Sequence, residues 1–126
     1  MITGTGIDIV AVNRFNSWLD NTALLYRFFH SEEIVKVMKK KAGAAESLAV
    51  RFACKEAFGK ALGTGLMGLT LKNICVCNDT KGKPFLQLFG DAQEALQKSG
   101  AEKIHISLSH EKEYAIAQVI LEKERI

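Results

Sequence analysis

One helix limits what this chain can fold into. Between Gly43 and Gly63 there is no proline, and from Arg51 to Leu62 the only weak helix former is Gly59. A helix from about Ala45 to Leu62 is expected, stopped by Gly63 and Gly65. At about 100° per residue, with Phe52 set at zero, Glu56 falls at about 40° and Lys60 at about 80°. Gly59 and Gly63 lie beside them. Val50, Ala53, Cys54, Ala57, Phe58, Ala61 and Leu62 form an apolar stripe over the opposite half. The pattern predicts an amphipathic helix that turns Glu56 and Lys60 away from the core. The small residues around them leave room for another group to approach closely.

The remaining segments supply what this helix packs on. Residues 2–10 read as a strand, with Ile7 and Ile9 on one face and Asp8 and Val10 on the other. Residues 12–19 suggest a short helix, and 23–29 a second helix or an apolar turn. Ser31 is the expected N-cap of a helix with Glu32 and Glu33 in its first turn, ending near Lys41. ICVC at 74–77 and residues 85–89 read as strands joined through the turn-forming NDTKGK at 78–83. Asp91 and Glu94 suggest a capping box for a helix running to about Lys98 and closed by Gly100. Ile104, Ile106 and Leu108 alternate with polar residues, Tyr114–Leu121 reads as a strand, and HEKE between them as a hairpin loop. The expected class is α+β: an antiparallel sheet with helices packed on it, in one small domain spanning residues 1–126.

Composition excludes several function classes. The chain has 126 residues, net charge +3 and a pI near 8.8, which is too weakly basic to argue for nucleic acid. The densest basic run, Lys39–Lys41, reads as a solvated helix end. No stretch reaches the roughly 18 apolar residues of a membrane span, and the N-terminus does not have the form of a secretory signal. Three cysteines, Cys54, Cys75 and Cys77, fit no zinc spacing. Cys75 and Cys77 point to one side of a strand, which does not suit a disulfide. A reducing cytoplasm is the expected setting.

Four places could carry chemistry. Glu56 and Lys60 alone make an i,i+4 pair worth about 0.2–0.5 kcal/mol to a helix. Asp8 changes their significance. Aspartate suits a strand interior poorly, so Asp8 reads either as an edge residue facing solvent or as a carboxylate aimed into a site. If that strand lies beside the helix, Asp8 and Glu56 could together hold Mg²⁺ on a phosphate-bearing substrate. His110, where a strand turns after Ser107 and Ser109, could contact phosphate or shuttle a proton. KGKP at 81–84 reads as turn chemistry or as a phosphate grip, its glycine allowing close backbone approach. His105 reads as structural, and His30 has no evident partner.

Taken together, GIDIV, RFACKEAFGKALGTG, GKP, and SLSH with KEYAIAQVI resemble the holo-acyl-carrier-protein synthases, the short 4′-phosphopantetheinyl transferases. The resemblance covers nearly the whole chain, in the family's order and spacing. It implies transfer of the phosphopantetheine arm of coenzyme A to a serine of an apo acyl carrier protein, releasing adenosine 3′,5′-bisphosphate. It implies a metal site at Asp8 and Glu56, with Lys60 on the phosphates. The base is either Glu56 or a metal-bound water that Glu56 orients. Coenzyme A contacts are implied at Arg51, Lys60, Gly82, Lys83, Pro84, Ser109 and His110, and a carrier-protein contact at Arg14. In FFHSEEI the resemblance extends to Glu33, with His30 where the family has threonine. Glu111 follows His110 as an acidic neighbour where members carry a small polar residue. A homotrimer with sites between subunits is implied as well, compatible with the apolar LMGLTL segment. Two other readings stay open. One is a non-catalytic module docking an acidic protein through Arg14, Arg27 and the lysine run. The other is a different Mg²⁺-dependent phosphate-ester enzyme.

Overall fold

The computed structural model describes residues 1–124. β1 (Ile2–Ala11) leads through two short 3₁₀ turns (Val12–Phe15 and Ser17–Asp20) into α1 (Thr22–Phe28) and α2 (Ser31–Met38). α3 (Ala44–Leu62) follows, then a 3₁₀ turn (Leu71–Asn73), the strands β2 (Ile74–Asn78) and β3 (Pro84–Leu88), and α4 (Gly90–Ser99). β4 (Lys103–His110) and β5 (Tyr114–Glu122) complete the chain. β5 lies between β1 and β4 in an antiparallel sheet, and β2 and β3 pair as a separate hairpin. The α+β class is as expected.

α3 is the centre of the molecule. The sequence pattern predicts an amphipathic helix, but fourteen of its nineteen residues are buried, including Ser47, Arg51 and Lys55. The sheet covers one side, while α2 and the β2–β3 hairpin cover others. The face of β1 that meets α3 carries Gly4, Gly6, Asp8 and Val10. A Cβ on Gly4 would overlap the carbonyl oxygen of Ala61, and one on Gly6 that of Ala57. Glycine on the strand and alanine on the helix therefore bring the two backbones into direct contact. Of the two helix glycines read as room for an approaching group, Gly63 has open space beside it and Gly59 does not. Gly59 is filled by the chain itself: a Cβ there would come within 2.6 Å of the Gly65 backbone.

Among the described residues, nothing covers the opposite face of the sheet. Ile7 and Ile9 are 56% and 60% exposed, with Tyr114 and Ile116 beside them on β5.

Several local expectations are corrected. His30, not Ser31, caps α2: its Nδ1 accepts from the Glu32 N–H, while the Glu33 carboxylate accepts from the His30 N–H. An imidazole nitrogen does here what a hydroxyl oxygen usually does. α2 stops at Met38, short of the lysine run. Phe89, not Asp91, precedes the first turn of α4. Asp91 instead accepts from the Thr70 N–H and hydroxyl and from Asn73. Burial is the largest single influence and raises its pKa, but the Thr70 and Asn73 donors and the Ala92 N–H together outweigh it and hold the carboxyl below its usual range. Residues 12–20 form two 3₁₀ turns rather than one helix.

Candidate active site

The register of the sheet determines which side chains share a face. Asp8 opposes Ala117, which opposes Leu108; Val10 opposes Ala115, which opposes His110. Residues directly opposed in antiparallel strands project to the same side. Asp8 and His110 therefore both lie on the face that α3 covers, on the two outer strands, about 10 Å apart across β5. The side chain of Ser109, in the row of Ile9 and Ile116, is on the opposite, exposed face.

At the β1 edge, Lys60 reaches down from α3 to donate to Asp8 Oδ1 and to the Ile7 carbonyl, both at 3.0 Å. The Asp8 side chain is 15% exposed and that of Lys60 51%. Glu56, one helical turn before Lys60, is partly buried beside them. Burial raises its carboxyl pKa, and the negative charge of Asp8 adds to this; Lys60 and Arg14 oppose it. Two carboxylates, from a strand and from the helix packed on it, thus stand beside one lysine, and oxygen donors of this kind are what a divalent cation such as Mg²⁺ takes. Arg14 stands over an aromatic cluster, with its guanidinium carbon 4.9 Å from the Phe52 ring centre and 5.8 Å from that of Trp18.

At the β4 edge lies a cleft of about 530 Å³, lined by Arg51, Ser47, His110, Leu108, Pro84 and Val76, with Lys36, Lys39 and Lys40 around it. Arg51 is bent back along its own helix, donating from Nη1 to Ser47 Oγ at 2.6 Å. His110 Nδ1 stands 4.0 Å from Glu46. The acid near His110 is thus Glu46 on α3, with Glu111 following it in the chain. Gly82 and Lys83 lie outside this cleft; Lys83 lines a second hollow with Pro84, Phe85 and His105. The Lys83 and Lys81 N–H groups both donate to Asp79, which shapes the turn, and Gly82 has the left-handed φ of +85° that favours glycine. Sequence reasoning missed Lys36, Lys39 and Lys40 as cleft residues. Their spacing of three and four from the last turn of α2 into the residues just past its end was the available signal.

Between cleft and core runs a buried ion pair. Lys55 Nζ donates to Glu33 Oε1 at 2.7 Å and to the carbonyls of Leu71 and Ile74, and both side chains are fully buried. Burial lowers the Lys55 pKa and the Glu33 charge opposes this. Glu33 also accepts the N–H groups of His30 and Val76 and lies 3.9 Å from Arg51 Nε. It ties α2 and β2 to α3. A separate group, His30, Glu32 and Cys75, places three metal-ligating atoms within 4.8 Å of one another. The His30 Nδ1 lone pair is engaged in the helix cap, and burial, followed by the Glu33 charge, raises the Cys75 thiol pKa.

The sequence profile of the 4′-phosphopantetheinyl transferase superfamily matches residues 4–119, a span that holds every residue placed above at the two edges. The chain belongs to this superfamily. Among phosphopantetheinyl transferases it is 60% identical over 122 residues to the holo-acyl-carrier-protein synthase of Treponema denticola, covering 97% of this chain and 99% of the relative. The synthase of Treponema pallidum is 55% identical, covering 98% of each chain. The crystal structure of the Neisseria meningitidis synthase superposes with a TM-score of 0.88 at 33% identity, covering 98% of this chain and 100% of that one. A Bacillus anthracis synthase in complex with coenzyme A (3′,5′-ADP) gives 0.82 at 37%, covering 98% and 99%.

Proposed function

We propose that this chain is an enzyme transferring the 4′-phosphopantetheine group of coenzyme A to a serine of apo acyl carrier protein. The observation that carries this reading is the pairing of a carboxylate–lysine cluster with a basic cleft on the helix-covered face of one sheet. Near-full-length similarity to holo-acyl-carrier-protein synthases supports it. The serine oxygen attacks the phosphorus bearing the pantetheine arm. The bond from that phosphorus to the bridging oxygen breaks, and adenosine 3′,5′-bisphosphate leaves. Glu56 accepts the serine proton, a role its raised pKa suits. Lys60 offsets the charge that grows on the leaving phosphate. Arg51 and His110 hold coenzyme A in the cleft, with Pro84 as a wall. Lys83, Gly82 and Ser109 complete the contacts from outside it, and Arg14 faces the carrier protein.

Asp8 and Glu56 are the residues that would hold Mg²⁺, and their fit rests on two carboxylates from adjoining elements standing together beside Lys60. When bound, Mg²⁺ would neutralise the diphosphate and stabilise charge in the transition state. We further propose that residues 1–126 act as one domain and that three copies assemble through the exposed face bearing Ile7, Ile9 and Ile116, as contiguous exposed apolar surface usually marks an interface. The three free thiols, two of them buried, suit a reducing cytoplasmic setting. No described helix is long and apolar enough to cross a membrane.

The deciding experiment is intact-mass spectrometry of apo acyl carrier protein incubated with this chain, coenzyme A and Mg²⁺. One phosphopantetheine is expected to be gained, and lost with Asp8→Ala or EDTA. No gain from a folded sample with several carrier proteins overturns the reading.

A further inference from the structure

We propose that Ser47 is a positioning residue for coenzyme A, acting through Arg51. This rests on the reading that Arg51 meets the nucleotide in the cleft. Arg51 and Ser47 are one helical turn apart on α3, and the arginine side chain folds back toward the helix N-terminus, the direction helix geometry favours. Its Nη1 donates to Ser47 Oγ at 2.6 Å and reaches the Ser47 carbonyl at 3.5 Å. Both residues are buried, Ser47 at 3% and Arg51 at 7% exposure. Among the described residues the Arg51 Nε has no hydrogen-bond partner, and Glu33 Oε2 lies 3.9 Å from it.

The guanidinium thus stands between two attractors. Glu33 pulls through charge from the core side, and Ser47 holds one terminal nitrogen in place. An arginine has five N–H donors in a rigid fork. With Nη1 anchored, the remaining donors of the fork keep a set direction toward the cleft that Arg51 lines with His110 and Pro84. Without the Ser47 hydroxyl, Nη1 loses its one short partner. The 3.9 Å gap to Glu33 then closes into a direct pair, and the fork withdraws from the cleft. Glu33 itself stays in place, because Lys55 and the His30 and Val76 N–H groups hold it.

The test is a double-mutant cycle read by coenzyme A binding calorimetry and by steady-state kinetics. Ser47→Ala favours helix and leaves no large cavity, and a melting curve checks that the fold survives. Ser47→Ala is expected to weaken coenzyme A binding and raise its KM about tenfold, the size of one charge-assisted hydrogen bond, with kcat within about twofold. In an Arg51→Met background, which keeps an unbranched apolar stem and removes every donor, adding Ser47→Ala should change affinity less than about twofold. Ser47→Thr, which keeps the hydroxyl, should recover most of the loss. If Ser47→Ala leaves affinity unchanged while Arg51→Met weakens it, the positioning role is wrong. Equal losses from Ser47→Ala in both backgrounds overturn it as well. If Arg51→Met leaves affinity unchanged, the assignment of Arg51 to coenzyme A fails, and the positioning role fails with it.

Discussion

Replacing Gly6 with alanine tests whether backbone contact between β1 and α3 sets the active-site geometry. A Cβ at Gly6 would lie 2.7 Å from the Ala61 nitrogen and 3.0 Å from the Ala57 carbonyl carbon, where ordinary contact begins at 3.4 Å. The neighbours are backbone atoms of a helix that is buried almost all round, so they cannot rotate aside as a side chain would. α3 must therefore move off the sheet by more than about 0.7 Å, the difference between 3.4 and 2.7 Å, because the overlap with the Ala57 carbonyl oxygen is closer still. Overpacking of this kind costs about 1–3 kcal/mol. At about 4 °C per kcal/mol for a domain of this size, Tm should fall by about 4–12 °C. The same displacement carries Glu56 and Lys60 away from Asp8. Misplacement by about 1 Å can cost 10²-fold in rate, so kcat should fall by about 10- to 100-fold in the folded variant. Gly63→Ala is the control. Gly63 has φ of +86° with nothing within 4 Å of a new Cβ, so alanine there strains only the helix end. It should lower Tm comparably while kcat stays within about threefold. The assay is carrier-protein modification by mass spectrometry, run well below both melting points. Equal kcat losses in the two variants, or full activity in Gly6→Ala, would refute the argument.

Three further outcomes are expected. In the folded chain burial and Asp8 raise the Glu56 pKa, so its contribution to stability is complete below the ordinary value of 4.5 and is lost as pH rises through the folded value. Glu56→Gln should therefore melt higher than the parent at pH 7 and equal to it in acid, while losing transferase activity and the stabilisation that added Mg²⁺ gives the parent; calorimetry at several pH values checks this. Lys55→Met leaves Glu33 buried and unpaired and should cost about 3–5 kcal/mol in urea denaturation, with the added change Glu33→Gln recovering at least about half. Ile9→Glu, on the exposed sheet face, should convert a trimer to monomers in light scattering while far-UV circular dichroism stays unchanged.

Much of this was legible in the sequence. Alternation located β1, β4 and β5, and the glycines at 43 and 63 bounded α3 within a residue. A carboxylate out of place in a strand directed Asp8 to this helix, but as a partner of Glu56; its ion pair with Lys60 was not foreseen. Other features depend on partners that periodicity does not encode. α3 is not amphipathic, because the side meeting β1 is matched by glycines rather than by large apolar residues. The isoleucines of β1 consequently point outward, and no count of apolar residues distinguishes that face from a core face. His30 as a cap lies outside the usual set of capping residues. The cleft lysines of α2 gain their meaning only when Val76, Leu108 and His110 close the other side. Glu33 looks like an ordinary first-turn acid until Lys55, 22 positions along the chain, is found against it.

Arg51, Glu56 and Lys60 all sit on the one helix that the rest of the molecule is wrapped around. The site therefore has the lifetime of the fold. No folding intermediate lacking α3 can hold Arg51, Glu56 or Lys60 in place. In hydrogen exchange, the amides of α3 through the site should be released only with global unfolding, so the chain switches between fully armed and fully lost.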